Sequence, residues 1–225
     1  MAASPRLALF DLDGTLLAGD TDVLWCEFLV EEGILDRQTF GAANREVAER
    51  YSRGAISPEE FAGFYAATLA GRSPAEWAPL RERFVRTAIE PRIGAGARAL
   101  VAGHVLAGER VVLTTATNRF LAEPVAASLG IAVLIATELE VGAQGAFSGR
   151  TSGVVNMRAG KLARLAEWLA AERLPPTLLD EASFYSDSIN DLPLLEAVAA
   201  PVAVDPDARL AAEAERRGWR VLRLA

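Results

Sequence analysis

Leu7-Ala8-Leu9-Phe10-Asp11-Leu12-Asp13-Gly14-Thr15-Leu16 passes from four apolar residues straight into two aspartates that bracket a leucine, with a glycine next. An apolar run without polar alternation reads as a strand covered on both faces, the kind found in parallel sheets. Extended backbone puts Asp11 and Asp13 on one side, with Leu12 between them. Two neighbouring carboxylates repel, and one holds a proton at neutral pH unless a cation sits between them. Such a strand end offers one carboxylate as a nucleophile beside a divalent ion and the other as a proton donor. An ordinary Asp-Gly turn accounts for the same residues, so the rest of the chain has to decide.

Outward from this strand, further short apolar runs at 111–115, 131–136, 182–186, 202–204 and 219–224 read as strands. Helical patterns at 98–107, 119–129, 161–172 and 207–217 lie between most of them. Strands alternating with helices predict an α/β fold with a doubly wound, mostly parallel sheet. The glycines of 138–150 predict a small hairpin excursion. Segment 20–90 breaks the rhythm, because it shows helical periodicity and no strand. Ser57-Pro58-Glu59-Glu60 and Ser73-Pro74-Ala75-Glu76 each combine an N-cap serine, a proline at the first helical position and an acid three residues after the cap. Two more helices are expected at 21–32 and 36–53, ended by Gly33 and Gly54. The expected division is an α/β core of 1–19 and 91–225 with an all-helical insert over 20–90.

The chain has 225 residues, is 51% hydrophobic and carries a net charge of −7. Its surface therefore repels phosphate backbones and anionic lipids, which disfavours nucleic-acid and membrane partners. Cys26 and His104 are the only residues of their types, so a disulfide framework and a cysteine zinc cage are excluded. The longest uncharged stretch, 124–137, has 14 residues, short of the ~20 that a membrane span needs. The opening Met1-Ala2-Ala3-Ser4-Pro5-Arg6 and the apolar run after it are too short for a secretory signal. The expectation is a soluble, cytoplasmic protein of undetermined oligomeric state.

Three further stretches carry chemistry. Ser183-Phe184-Tyr185-Ser186-Asp187-Ser188-Ile189-Asn190-Asp191 again runs a buried strand into an acid-rich turn. Mg²⁺ prefers hard oxygen ligands and retains waters, so Asp187 with Asp11 would suffice as its carboxylates. Thr114-Thr115-Ala116-Thr117-Asn118 places hydroxyls and free N–H groups at a helix start, which suits an anion. Lys161 follows Gly160 near a helix start, where it either is a solvated surface residue or points at phosphate.

Taken together, Asp11-Leu12-Asp13-Gly14-Thr15-Leu16, Thr115, Lys161 and Asp187-Ser188-Ile189-Asn190-Asp191 resemble, in order and character, the four motifs of the haloacid dehalogenase-like superfamily. The helical insert is similar to the cap of its phosphoserine-phosphatase-like branch. The stretches Thr115-Ala116-Thr117-Asn118-Arg119-Phe120 and Tyr185 to Leu195 resemble a bacterial subgroup, some of whose members act on histidinol phosphate. The resemblance implies that Asp11 forms an aspartyl-phosphate and that Asp13 is the general acid and base. It also implies Mg²⁺ held by Asp11, the Asp13 carbonyl and Asp187, with Thr115, Ala116, Lys161 and Asn190 around the phosphate. Asp191 would support the metal waters and the loop. The last motif departs from the usual Gly-Asp-Gly, with Ser186 and Ser188 flanking Asp187.

The expected activity is Mg²⁺-dependent hydrolysis of a small phosphorylated metabolite, with histidinol phosphate the best candidate. A phosphoserine phosphatase, a phosphotransferase using the same intermediate and a non-enzymatic phospho-accepting module are the alternatives. Gly19-Asp20-Thr21-Asp22 places two carboxylates where the insert begins, which would attract a substrate ammonium; the alternative is that Asp20 only caps the first insert helix. His104 and Cys26 read as structural. Trp25, Phe28, Phe40, Tyr51, Phe61, Phe64 and Tyr65 read mostly as the insert's own core, one or two of them lining the site.

Overall fold

The computed structural model describes residues 6–224; the opening residues 1–5, read above for a targeting signal, lie outside them. The strands are β1 (Leu7–Phe10), β2 (Arg110–Asn118), β3 (Val133–Val141), β4 (Phe147–Ser152), β5 (Ser183–Ser186), β6 (Ala200–Val204) and β7 (Arg220–Leu222). They form one sheet in the order β4-β3-β2-β1-β5-β6-β7. β1 is the central strand, fully buried and parallel to both β2 and β5, while β4 alone among the described strands runs antiparallel, hairpinned to β3. Its alternate residues explain the unbroken apolar run: Leu7 and Leu9 enter one hydrophobic cluster, Ala8 and Phe10 the other.

Between β1 and the rest of the sheet come α1 (Thr21–Glu31), α2 (Thr39–Ser52), α3 (Pro58–Ala67) and α4 (Pro74–Phe84). Ser57 accepts from the Glu60 N–H, and Ser73 and Glu76 form a reciprocal capping box, as their spacing predicts. α2 starts three residues later than expected, because the Asp36 carboxylate accepts from the Gln38 and Thr39 N–H groups and closes a turn first. The remaining helices are α5 (Ala95–Leu106), α6 (Arg119–Ser128), α7 (Ala159–Ala171), α8 (Leu192–Leu195) and α9 (Ala208–Arg217). No helix among the described residues is long and apolar enough to cross a membrane.

The seven aromatics do not make a core that belongs to the insert alone. Trp25 and Phe28, with Trp77 and Phe84, join the cluster that contains Phe10, Leu12 and Val204. Tyr65 and Phe61 pack with Val155 and Met157, from the segment leading into α7. Four short helices present more apolar surface than they can cover for one another, so the excess is buried against the sheet domain. The two chain crossings are also tied: Ala18 N–H donates to the Arg92 carbonyl at 3.0 Å.

His104 lies in α5 as a structural residue, its Nε2 2.9 Å from the Tyr185 hydroxyl and its ring edge-on to Phe10. Cys26 is buried with Val47 and Tyr65, and burial raises its thiol, so it is an unreactive packing residue.

Candidate active site

Asp11 follows the last residue of β1, Asp187 the last residue of β5, and Thr115 and Thr117 lie near the carboxyl end of β2. Three adjacent parallel strands thus deliver their polar ends to one edge of the sheet, where such folds bind ligands. Asp11 is buried; its Oδ1 accepts from the Leu12 N–H and from Lys161 Nζ, both at 2.8 Å. Lys161 is 2% exposed, which excludes the surface reading, and its ammonium also reaches Asp191 Oδ2 at 2.7 Å. Asp191 accepts from Ser186 Oγ as well, so it fixes the lysine from behind.

The inward aim of Lys161 comes from a tight turn. A Cβ on Gly160 would fall 2.0 Å from the Val155 carbonyl oxygen, so this chain path excludes a side chain there. Asn156, fully buried, donates from its Nδ2 to the Thr115 and Ile135 carbonyls and locks the segment before α7 onto β2 and β3.

The electrostatics are those of charge withheld from water. Burial raises the Asp11 carboxyl well above the usual carboxylate range; Lys161 opposes the rise, while Asp191 and Asp187 add to it. Burial likewise lifts Asp187 to about 7, against a hydrogen bond from Thr15. Burial alone would lower the Lys161 ammonium, yet Asp11 and Asp191 hold it above its ordinary value.

Asp13 accepts at Oδ1 from the Thr21 N–H and hydroxyl, and at Oδ2 from Thr117 at 2.7 Å and Thr115 at 3.3 Å. Thr117, one of the hydroxyls of the stretch 114–118, lies two residues beyond Thr115, which puts both hydroxyls on one face of the strand. A cavity of only about 10 Å³ remains between Asp11, Asp13, Asp20, Asp22, Tyr51, Phe61, Ala116, Thr117 and Lys161. Asp22 lies here beside Asp20, and of the seven insert aromatics Tyr51 and Phe61 are the two that line this cavity. Asp20 both faces this cavity and caps α1, accepting from the Val23 N–H at 2.9 Å. Asn190 is not brought to the cavity wall; its Oδ1 accepts from Arg158 Nε at 3.3 Å.

The family model of haloacid dehalogenase-like hydrolases matches residues 8–196, which include all of these positions. The chain belongs to the haloacid dehalogenase-like hydrolase family. It is 39% identical over 217 residues to a histidinol-phosphatase of Neisseria meningitidis, covering 96% of this chain and 98% of that protein. A crystal structure of a Bordetella pertussis protein of unknown function superposes with a TM-score of 0.93 at 42% identity, covering 99% of this chain and 100% of the other. A substrate-bound phosphoserine phosphatase shares the fold, with a TM-score of 0.70 at 17% identity over 98% of this chain and 93% of that one. The protein is therefore a haloacid dehalogenase-like phosphatase.

In this phosphatase Gly14 has a strict structural task. Its φ is +75°, and a Cβ there would lie 2.1 Å from Asp187 Oδ2. Thr15 Oγ1 donates to Asp187 Oδ1 and accepts from the Asp187 N–H, both at 3.0 Å, so the carboxylate has nowhere to retreat. Gly14→Ala is expected to displace Asp187 and to lower kcat/KM by about 100-fold, the cost of misplacing a reacting group by roughly 1 Å. Steady-state kinetics on p-nitrophenyl phosphate check this, and activity within threefold of wild type would contradict the packing described here.

Proposed function

We propose that the protein is a Mg²⁺-dependent phosphomonoesterase that acts on histidinol phosphate through a phosphorylated Asp11. In this reading Asp11 Oδ2 attacks phosphorus, since Oδ1 is engaged by Leu12 and Lys161. The ester P–O bond breaks as Asp13 gives its proton to the leaving alkoxide. Asp13 then takes a proton from the water that hydrolyses the aspartyl-phosphate, which releases phosphate and restores both carboxyls. Lys161, Thr115 and the Ala116 N–H hold the phosphoryl oxygens as charge spreads over them. Asp191 keeps Lys161 aimed at the centre.

The donor set fits a hard divalent cation. Asp11, Asp187 and the Asp13 carbonyl supply oxygen only, and the raised carboxyls of Asp11 and Asp187 mark buried negative charge that a cation would neutralise. Mg²⁺ fills its octahedron with water and substrate oxygens, so these few protein oxygens would suffice for it. When bound, Mg²⁺ supplies charge neutralisation and in-line orientation of the phosphoryl group.

The observation that carries the substrate is the composition of the cavity wall. Asp20 and Asp22 supply negative charge for an ammonium, Tyr51 and Phe61 supply aromatic surface for an imidazole, and Lys161 is the single cation. Phosphoserine would need a second cation for its carboxylate. The arginines of α2 and its end do not provide one: Arg50 pairs with Glu60, Arg53 lies exposed beside Glu49, and Arg45 lines a different cleft between α1 and α2. The 39% identity to a protein named histidinol-phosphatase supports the same choice.

Helices α1–α4 act as a cap in this reading. The cavity of about 10 Å³ accommodates no phosphate ester, so α2 and α3, which carry Tyr51 and Phe61, part from the sheet edge to admit one. The test of the substrate is kcat/KM on histidinol phosphate, phosphoserine and glucose 6-phosphate. At least tenfold preference for the first is expected, and a tenfold preference for either of the others overturns the assignment.

A further inference from the structure

One carboxylate on the cavity wall belongs to no family motif and takes no part in phosphoryl transfer. Asp22 lies in the first turn of α1, is 3% exposed and faces the cavity with Asp11, Asp13 and Asp20. Its Oδ1 accepts from Asn118 Nδ2 at 3.2 Å, beside the Thr117 hydroxyl, whose proton goes to Asp13. Asn118 is itself fixed, because its Oδ1 caps α6 by accepting from the Leu121 N–H. The carboxylate is therefore held in place from the β2 side but is not neutralised. Lys161, the basic residue of this wall, is engaged by Asp11 and Asp191.

A carboxylate buried among neutral donors and like charges is costly without a cation. Burial, with Asp20 and Asp13 nearby, accordingly raises the Asp22 carboxyl well above its usual range. Asp20 is in a different position. Its oxygen already satisfies the first turn of α1, a service that asparagine performs as well as aspartate. Tyr51 and Phe61, with ring centroids 4.6 Å apart, close the same cavity with aromatic surface. The cavity wall therefore combines two acids without a cation partner, the buried Asp22 and the less buried Asp20, with flat apolar faces. Burial and Asp13 raise the Asp20 carboxyl to about 7. Such a wall fits an organic cation.

We infer that Asp22, rather than Asp20, is the specificity-determining residue of the site, its carboxylate pairing with the ammonium group of the substrate and so selecting cationic phosphate esters. The inference rests on the reading of histidinol phosphate as substrate and deepens it. The competing role for Asp22 is mechanical, a clip from α1 to the β2–α6 turn through Asn118. A clip would affect every ester alike.

The experiment compares the wild type, Asp22→Asn and Asp20→Asn on histidinol phosphate, O-phosphoethanolamine and p-nitrophenyl phosphate, with Tm for each protein. Both substitutions keep side-chain shape and an acceptor oxygen. Asp22→Asn is expected to lower kcat/KM for the two ammonium esters by about 10- to 100-fold more than for p-nitrophenyl phosphate, as loss of a charged hydrogen bond predicts, and chiefly through KM. Asp20→Asn is expected to change that ratio by less than about threefold, since asparagine replaces aspartate at an N-cap at little cost. A parallel loss on all three substrates, or a ratio that moves in Asp20→Asn and not in Asp22→Asn, overturns the assignment. Should the wild type prefer phosphoserine or a sugar phosphate, the histidinol phosphate reading fails separately. The ratio of O-phosphoethanolamine to p-nitrophenyl phosphate then still decides the role of Asp22.

Discussion

Asp11→Asn is expected to lower kcat by a factor on the order of 10⁴ or more while leaving the protein folded. An amide oxygen is a poor nucleophile toward phosphorus, and an amide cannot carry the charge that a divalent cation would share with Asp187. The fold should tolerate the change, because burial already disfavours the charged form of Asp11. The Leu12 N–H keeps an acceptor at Oδ1, and Lys161 keeps Asp191. Removing one charge from a crowded buried cluster also relieves repulsion with Asp187 and Asp191, so the unfolding midpoint in urea should stay level or rise. Phosphate release from p-nitrophenyl phosphate measures the first effect and circular dichroism the second. A purified variant that retains more than a tenth of the wild-type rate would exclude the aspartyl-phosphate.

Much of this site is legible in the sequence because it sits where strands end. The runs into Asp11, Thr115 and Asp187 are short, apolar and followed by polar turns, and parallel pairing through β1 brings those ends together without help from distant loops. The two Ser-Pro helix starts are legible for a local reason, since each cap satisfies its own first turn. What stays hidden depends on packing between segments. Tyr51 and Phe61 lie on the same two helices as Phe40 and Phe64, and nothing local distinguishes the pair that faces the cavity from the pair that does not. Asp20 and Asp22 are equally legible as a pair of acids at the start of the insert, but what each of them touches is decided only when α1 and the Asn118 cap of α6 are set against each other. Lys161 shows the reverse case: its position after Gly160 resembles that of a solvated residue, and only the turn built on Val155 and Asn156 turns it inward.

That inward lysine leads to the second large effect. Lys161→Met is expected to cost about 3–5 kcal/mol of stability at pH 7.5, the range for breaking a buried ion pair by removing one partner. The methyl thioether fills much of the same space and still packs on Phe184, whose ring centroid lies 5.9 Å from the ammonium, so the loss is one of charge more than volume. Two buried carboxylates, Asp11 and Asp191, lose the ammonium that lies 2.8 and 2.7 Å from them. The sign of the pH dependence follows from linkage. Burial raises Asp11 in the native state above its unfolded value, and without Lys161 to oppose it the rise is larger. A carboxyl raised on folding supports the native state below its unfolded pKa and loses that support as pH climbs toward the native one. The stability difference between variant and wild type should accordingly be smallest near pH 4–5, close to the ordinary carboxyl pKa, and grow toward neutrality. Catalysis falls with it, since charge on the transferring phosphoryl group has lost its fixed counterion, by on the order of 10³ in kcat. Urea unfolding at pH 5 and pH 7.5 tests the charge argument directly. A deficit that is equal at the two pH values would assign Lys161 a packing role in place of an electrostatic one.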